Sequence, residues 1–159
     1  MSQECEGCRL TSGASPLPGG RIFQTEHWVV EHCVGTLGIG TLILKPFRHT
    51  VRLSDLSVDE AAELGPLITH MTSLVEELTA ADQVYVCLWS HAGWEPGHVH
   101  FVVQPSWNHL KDRFPGPGPS VQMAMFKEAE PLDIGAVEDF CDKARAALAP
   151  SRAFPATAG

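Results

Sequence analysis

The stretch that decides the fold of this 159-residue chain is Ala92-Gly93-Trp94-Glu95-Pro96-Gly97-His98-Val99-His100-Phe101-Val102-Val103-Gln104-Pro105. A loop rich in glycine and proline leads into His98–Gln104, which has the composition of a strand. Successive side chains of a strand point to opposite faces, so the even-numbered residues from His98 to Gln104 share one face. The odd-numbered residues between them are apolar and belong in a core. The pattern therefore predicts two imidazoles on one face, about 7 Å apart at Cα.

Outward from this strand, the sequence predicts further β-structure on its N-terminal side. The runs Arg21–Gln24 and Trp28–His32 suit a hairpin, and glycines mark a turn before a third run, Thr41–Lys45. Gln83–Trp89 is β-branched and aromatic enough for a fourth strand. The first twenty residues are rich in Ser, Pro and Gly and are predicted to form an irregular arm.

Two helices are also predicted. Ser57 and Glu60 have the spacing of a capping box, and apolar residues follow at steps of three and four as far as Leu78. Asp133 can cap a second amphipathic helix that ends before Pro150. Hairpin strands, a long helix and two more strands indicate an α+β fold: an antiparallel sheet of about five strands, with the long helix packed on one face and a C-terminal helix. We expect a single domain over residues 1–150 and a flexible tail over 151–159.

Composition narrows the functional classes. The formal net charge is −8 and the basic residues are scattered, which disfavours binding to a nucleic-acid polymer. No apolar run is long enough to cross a membrane, and the first residues do not look like a secretory signal, so we expect a cytoplasmic protein. Nucleophile-elbow, dinucleotide-binding and P-loop motifs do not occur.

The five cysteines fall into two groups. Cys33, Cys87 and Cys141 lie in apolar surroundings and are predicted to be inert thiols. Cys5 and Cys8 lie in a polar segment with two residues between them, the spacing of a metal-binding knuckle.

The segment from Ala92 to Pro105 resembles the signature of the histidine triad (HIT) family, in which three histidines alternate with hydrophobic residues. The wider layout from Cys5 to Pro105 agrees, including the strand that ends in Leu44-Lys45-Pro46-Phe47-Arg48-His49. The resemblance implies a small nucleotide-derived substrate and a two-step displacement at phosphorus. The middle histidine, here His100, would attack the α-phosphate and form a nucleotidyl-imidazole that water or a second phosphate resolves. Many relatives are homodimers, so the resemblance also implies a homodimer.

The chain departs from the family pattern at several positions. Val102 replaces the third histidine, and its side chain can donate no hydrogen bond to a phosphate. Gln104, two residues further on the same face, is the predicted partial substitute. Glu95 stands where the family usually has a phosphate-holding hydroxyl; it is predicted to act as a general acid or base, with a solvated loop residue as the alternative. We expect substrate contacts from five further residues: Trp94, Ser90, His91, Val102 and His32.

The resemblance also implies a metal site. Several relatives close a zinc site with the N-terminal Cys-x-x-Cys, a histidine after the central strand and the first histidine of the motif. The matching residues are Cys5, Cys8, His49 and His98. Four protein ligands leave no open position, so such a zinc would be structural and would hold the arm, residues 1–20, on the sheet.

Three functions remain open at this point. The resemblance favours a nucleotide phosphohydrolase, acting for example on a dinucleoside polyphosphate or a nucleoside phosphoramidate. A nucleotidyltransferase of the galactose-1-phosphate uridylyltransferase type is the alternative within the same chemistry. The third is a HIT scaffold whose phosphoryl chemistry has diverged or been lost, and which binds or transforms another small molecule, for instance with Glu95 and His100 as an acid–base pair.

Overall fold

The computed structural model describes residues 5–90 and 97–149. Its helices are α1 (Glu6–Ser12), α2 (Val58–Thr79), α3 (Leu110–Arg113), α4 (Pro119–Glu128) and α5 (Ile134–Leu148), with a 3-10 turn at Leu53–Asp55. The strands are β1 (Arg21–Gln24), β2 (Trp28–His32), β3 (Leu42–Pro46), β4 (Gln83–Trp89) and β5 (His100–Ser106). The described residues therefore form the predicted α+β fold.

One five-stranded sheet organises the chain, in the order β1-β2-β3-β5-β4, and each neighbouring pair is antiparallel. In the register, Ile43 lies opposite both Glu31 and Val102, and His100 lies opposite Trp89. Paired residues point to the same side of an antiparallel sheet. The His100 side of the sheet thus carries the side chains of Glu31, Ile43 and Val102.

The opposite side holds the larger core. Trp28, Leu44 and Phe101 are among the buried residues that pack there against α2 and α5. Helix α2 begins as predicted, because Ser57 accepts from the Glu60 amide while the Glu60 carboxylate accepts from the Ser57 amide. The indole of Trp28 donates to the Glu60 backbone carbonyl, 2.8 Å away, so the start of α2 is fixed to the sheet.

A smaller cluster lies on the His100 side. Val102 and Leu37 pack there with Val121 and Met125 of α4. The Thr36 hydroxyl donates to the Met125 carbonyl, which ties the β2–β3 connection to α4. Helix α4 therefore covers part of the sheet face from which His100 projects.

Several local features differ from the sequence expectations, including the short helix α3, which was not predicted. Residues 6–12 of the arm are helical rather than irregular, and Gly13 ends α1 with a left-handed φ of 78°. The last strand begins at His100, two residues later than predicted. Helix α4 was not predicted; it begins with a proline in its first turn, where the missing N–H costs nothing. Residues 151–159, predicted to be a tail, lie outside the described part of the chain.

Candidate active site and metal centre

His100 stands at the first position of β5, and its ring orientation is set by the backbone. Its Nδ1 lies 2.7 Å from the carbonyl oxygen of His98, which can only accept a hydrogen bond. The hydrogen is therefore on Nδ1, and Nε2 carries the lone pair in the neutral ring. This is the tautomer that a nucleophilic imidazole needs.

A cavity of about 450 Å³ opens beside His100. Its floor is the His100 side of the sheet, and one wall is α1, which contributes Leu10. Phe126 of α4 also lines the cavity and contacts the Trp89 ring at a centroid distance of 5.4 Å. A cavity of this size suits a small organic ligand.

The four predicted metal ligands converge at the start of α1. The ligand atoms of Cys5, Cys8, His49 and His98 all lie within 4.8 Å of one another. The Cys8 sulfur is 3.4 Å from Nδ1 of His49 and 3.6 Å from Nδ1 of His98. A tetrahedral zinc with two thiolate and two imidazole ligands separates sulfur from nitrogen by about 3.5 Å. The donor set and its spacing therefore fit zinc.

His98 is prepared for the role of a ligand. Its Nε2–H donates to the Pro46 carbonyl at 2.8 Å, so Nδ1 carries the lone pair and faces the two sulfurs. Burial lowers the pKa of His98 to about 4, which keeps the imidazole in the neutral form that binds metals. Gly7 approaches so closely that a Cβ there would be 2.9 Å from the His98 Cβ. Only glycine lets α1 lie this near the histidine.

The three other cysteines behave as predicted for inert thiols. None of the three forms a disulfide. Burial raises the pKa of the Cys33 and Cys87 thiols, and it raises the pKa of Cys141 to about 11. A thiol with a raised pKa is a poor nucleophile at neutral pH.

The predicted residues on the His100 side have different environments. Val102 lines the cavity with its apolar side chain. Gln104 is fully buried, and its amide donates to the Leu37 carbonyl at 2.9 Å and contacts the Met125 sulfur. These contacts hold Gln104 beneath α4 and do not support a catalytic role. Ser90 is half-buried directly after β4.

His32, a predicted substrate contact, is among the residues that line the cavity, but its ring is held by other groups. It pairs with Leu42, so its side chain lies on the side of the sheet opposite His100, where its ring contacts Phe140 of α5. Its Nδ1–H donates to the Cys33 carbonyl at 2.8 Å, and its Nε2 accepts from the Gly40 amide at 2.9 Å. Both ring nitrogens therefore fix the β2–β3 connection, and a substrate contact of His32 stays a prediction.

His91, Trp94 and Glu95 fall in the segment 91–96, outside the described residues. Their predicted roles stay predictions. The segment joins β4 to the strand that begins with His100.

The sequence did not reveal two contributors to the cavity. Lys45 was not among the predicted site residues, but its side chain is 3% exposed and its ammonium lies 2.5 Å from Glu31. A signal was present: each of the two residues is a charge inside a strand that is otherwise mostly apolar. Phe126 belongs to α4, which has only a weak amphipathic pattern, and its place in the wall has no clear signal in the sequence.

No protein-family model matches this chain, and no curated protein is detectably similar to it in sequence. Among the described residues, no helix combines the length and apolar character needed to cross a membrane. The fold, however, has many solved counterparts.

A zinc-bound histidine triad family protein from Mycobacterium smegmatis has a TM-score of 0.66 and 22% identity, over 92% of this chain and 94% of that one. A HIT-like protein from Bartonella henselae, described as involved in cell-cycle regulation, has a TM-score of 0.64 and 16% identity, over 88% of this chain and 93% of that one. A diadenosine triphosphate hydrolase from Plasmodium falciparum has a TM-score of 0.62 and 13% identity, over 84% of this chain and 78% of that one. The chain therefore has the fold of the histidine triad proteins.

Proposed function

We propose that this protein hydrolyses a nucleotide-linked phosphoanhydride or phosphoramidate through a nucleotidyl intermediate on His100. The observation that carries the proposal is the hydrogen bond from Nδ1 of His100 to the His98 carbonyl, at the edge of a cavity large enough for a nucleotide moiety. It fixes the neutral tautomer with the lone pair on Nε2 before any substrate arrives.

The chemistry follows from that lone pair. Nε2 attacks the α-phosphorus, the bond from phosphorus to the leaving oxygen or nitrogen breaks, and its electron pair leaves with that group. As the ring becomes an imidazolium, the His98 carbonyl stabilises the charge on the Nδ1 side. Water then attacks phosphorus and releases a proton to solvent, the P–N bond breaks, and the neutral imidazole is restored. A leaving nitrogen takes up a proton from solvent and departs as an amine. If a second phosphate compound attacks in place of water, the nucleotidyl group is transferred to it, and the protein acts as a nucleotidyltransferase.

The metal cluster supports this proposal without taking part in the reaction. Cys5, Cys8, His49 and His98 would hold a structural zinc, as their spacing allows. Because the carbonyl of His98 orients the His100 ring while its imidazole would bind the metal, zinc would rigidify the backbone that positions the nucleophile. Zinc supplies no reacting oxygen in this arrangement.

A second candidate function rests on Val102. Its side chain lines the cavity at the third position of the motif and offers no donor to the developing charge on phosphate. This favours a protein that binds a nucleotide-derived ligand with slow or no turnover. The predicted homodimer is compatible with either function and stays a prediction.

Product analysis in ¹⁸O-labelled water tests the proposal. We expect the protein to convert a dinucleoside polyphosphate or a nucleoside phosphoramidate into a nucleoside monophosphate that carries one ¹⁸O atom on phosphorus. His100→Asn should abolish the product, while His109→Asn, at an exposed histidine stacked on Trp107, should not. Tight binding without product in the unmodified protein would instead support the binding function.

A further inference from the structure

The floor of the cavity contains a buried ion pair that the reaction at His100 does not use. Glu31 and Lys45 project from β2 and β3 on the His100 side of the sheet, and both line the cavity. Their side chains are 2% and 3% exposed, and the Lys45 ammonium is 2.5 Å from the Glu31 carboxylate. The hydroxyl of Thr11 in α1 shares its hydrogen between the Gly7 carbonyl, at 3.0 Å, and the other carboxylate oxygen, at 3.2 Å.

Stability alone does not account for this pair. Removing two charges from water costs several kcal/mol per ion, and apolar residues of the same size are often as stable or more so. The pair also has unused hydrogen-bonding capacity. An ammonium has three donors, and among the described residues Lys45 uses one of them, toward Glu31. Each oxygen of the Glu31 carboxylate accepts one hydrogen bond there and can accept a second.

Apart from Glu6 and three histidines, the residues that line the cavity with the pair are apolar or small. Leu10, Val34, Ile43 and Phe126 line the same cavity. A sugar carries hydroxyl groups around its whole ring, and apolar walls would leave several of these hydroxyls without hydrogen-bond partners. A heterocyclic base has apolar faces and a polar edge, which matches apolar walls with one polar spot.

We propose that the Glu31–Lys45 pair reads the polar edge of a heterocyclic base in the ligand. Lys45 donates to a ring nitrogen or carbonyl oxygen, and Glu31 accepts from the adjacent N–H. This inference rests on the proposed function, because it assumes that the ligand at His100 carries a base. The inference predicts that the protein binds preferentially those bases that present a hydrogen-bond acceptor next to a hydrogen-bond donor on the edge of the ring.

Nucleotide binding measured by calorimetry tests the inference, in a His100→Asn background that prevents turnover. The ligands are AMP and GMP, purine riboside 5′-monophosphate, whose ring lacks the exocyclic group and the edge N–H, and ribose 5-phosphate, which lacks the ring. A hydrogen bond to a charged group contributes about 1.5–3 kcal/mol, which is roughly a 10- to 100-fold change in affinity. AMP or GMP should therefore bind at least about tenfold more tightly than purine riboside monophosphate.

The informative variant is the double substitution Glu31→Leu with Lys45→Met, because removing one partner alone would leave a buried unpaired charge and could unfold the protein. It should melt as a folded protein and bind all three purine nucleotides with equal affinity, while its affinity for ribose 5-phosphate stays unchanged. The matched control is Asp139→Leu with Lys143→Met, which removes an exposed ion pair on α5 and should leave the selectivity intact.

Equal binding of the three purine nucleotides by the unmodified pair would overturn the inference, and so would selectivity that survives the double substitution. A uniform loss that includes ribose 5-phosphate would also overturn it, because the pair would then act on the sugar or on the shape of the cavity. If a nucleotidyl group forms on His100 without base selectivity, this inference fails and the proposed function stands. If no nucleotide binds, both fail.

Discussion

Replacing Cys8 by serine is expected to remove the metal and to release α1 from the sheet. The sulfur of Cys8 contacts the ligand nitrogens of both His49 and His98, so no other residue of the cluster can take its place. Helix α1 has seven residues, too few to be stable on its own. Outside the cluster, the Thr11–Glu31 hydrogen bond also ties α1 to the sheet.

The size of the effect follows from ligand linkage. A metal present at a hundred times its dissociation constant stabilises the folded state by about 2.7 kcal/mol. For a chain of this length each kcal/mol shifts the melting temperature by about 2–4 °C, so loss of the metal should lower it by about 5–11 °C. Because the cluster joins α1 to the sheet, the first amides to lose protection should be those of residues 6–12 and not those of α2.

Metal content, thermal melting and hydrogen exchange measure these effects. The unmodified protein should contain one zinc per chain and melt at a lower temperature after chelation, whereas Cys8→Ser should lack zinc and show no response to the chelator. Cys87→Ser is the matched control, because Cys87 is a half-buried thiol on β4, away from the cluster. Absence of zinc in the unmodified protein, or equal effects of the two substitutions, would refute the reasoning.

Three further predictions concern stability and the role of single side chains. Glu60→Gln should lower the free energy of unfolding by about 1–3 kcal/mol at pH 7, because the Arg48 guanidinium lowers the pKa of the Glu60 carboxyl. This contribution to stability is present above about pH 4.5 and is lost as the pH falls. Urea titrations should therefore show a smaller difference between the variant and the unmodified protein at pH 3 than at pH 7. His32→Ala should lower the free energy of unfolding by roughly 1–3 kcal/mol for each backbone group left without a partner. Nucleotide affinity, measured by calorimetry, should not change. Weaker nucleotide binding by a fully folded variant would instead support the predicted substrate contact of His32. Gly40→Ala should lower the free energy of unfolding by about 1–3 kcal/mol, because φ of Gly40 is +89° and the added Cβ would lie 2.8 Å from the Thr79 methyl. An unchanged midpoint in a denaturant titration would contradict the backbone conformation described for this turn.

Features that depend on local sequence were predictable. The capping box at Ser57 and the cap at Asp133 both form, since each needs only residues within one helical turn. The alternation around His100 placed the apolar side chains in the core for the same reason. The metal cluster joins residues up to 93 positions apart, and it could be predicted only through the resemblance to a family.

Features that depend on tertiary packing were not predictable. The burial of Lys45 follows from the neighbouring strand and from α1, and a lysine in an edge strand would give the same local sequence. His32 was placed by proximity in sequence, but the strand register sends its ring to the other side of the sheet. Helix α1 is too short for its helix propensity alone to determine its structure. Its position depends on the metal cluster, to which Cys5 and Cys8 belong.

The central claim is that His100 is a nucleophile whose tautomer is set by the His98 carbonyl. Intact-mass spectrometry of the protein, denatured at alkaline pH after seconds of mixing with a dinucleoside polyphosphate, tests it most directly, because the P–N bond of a nucleotidyl-imidazole is labile in acid. The account predicts a mass increase of one nucleoside monophosphate residue, mapped to His100 by fragmentation and absent from His100→Asn. A nucleotidyl group on another side chain, or product formation that continues in His100→Asn, would contradict it.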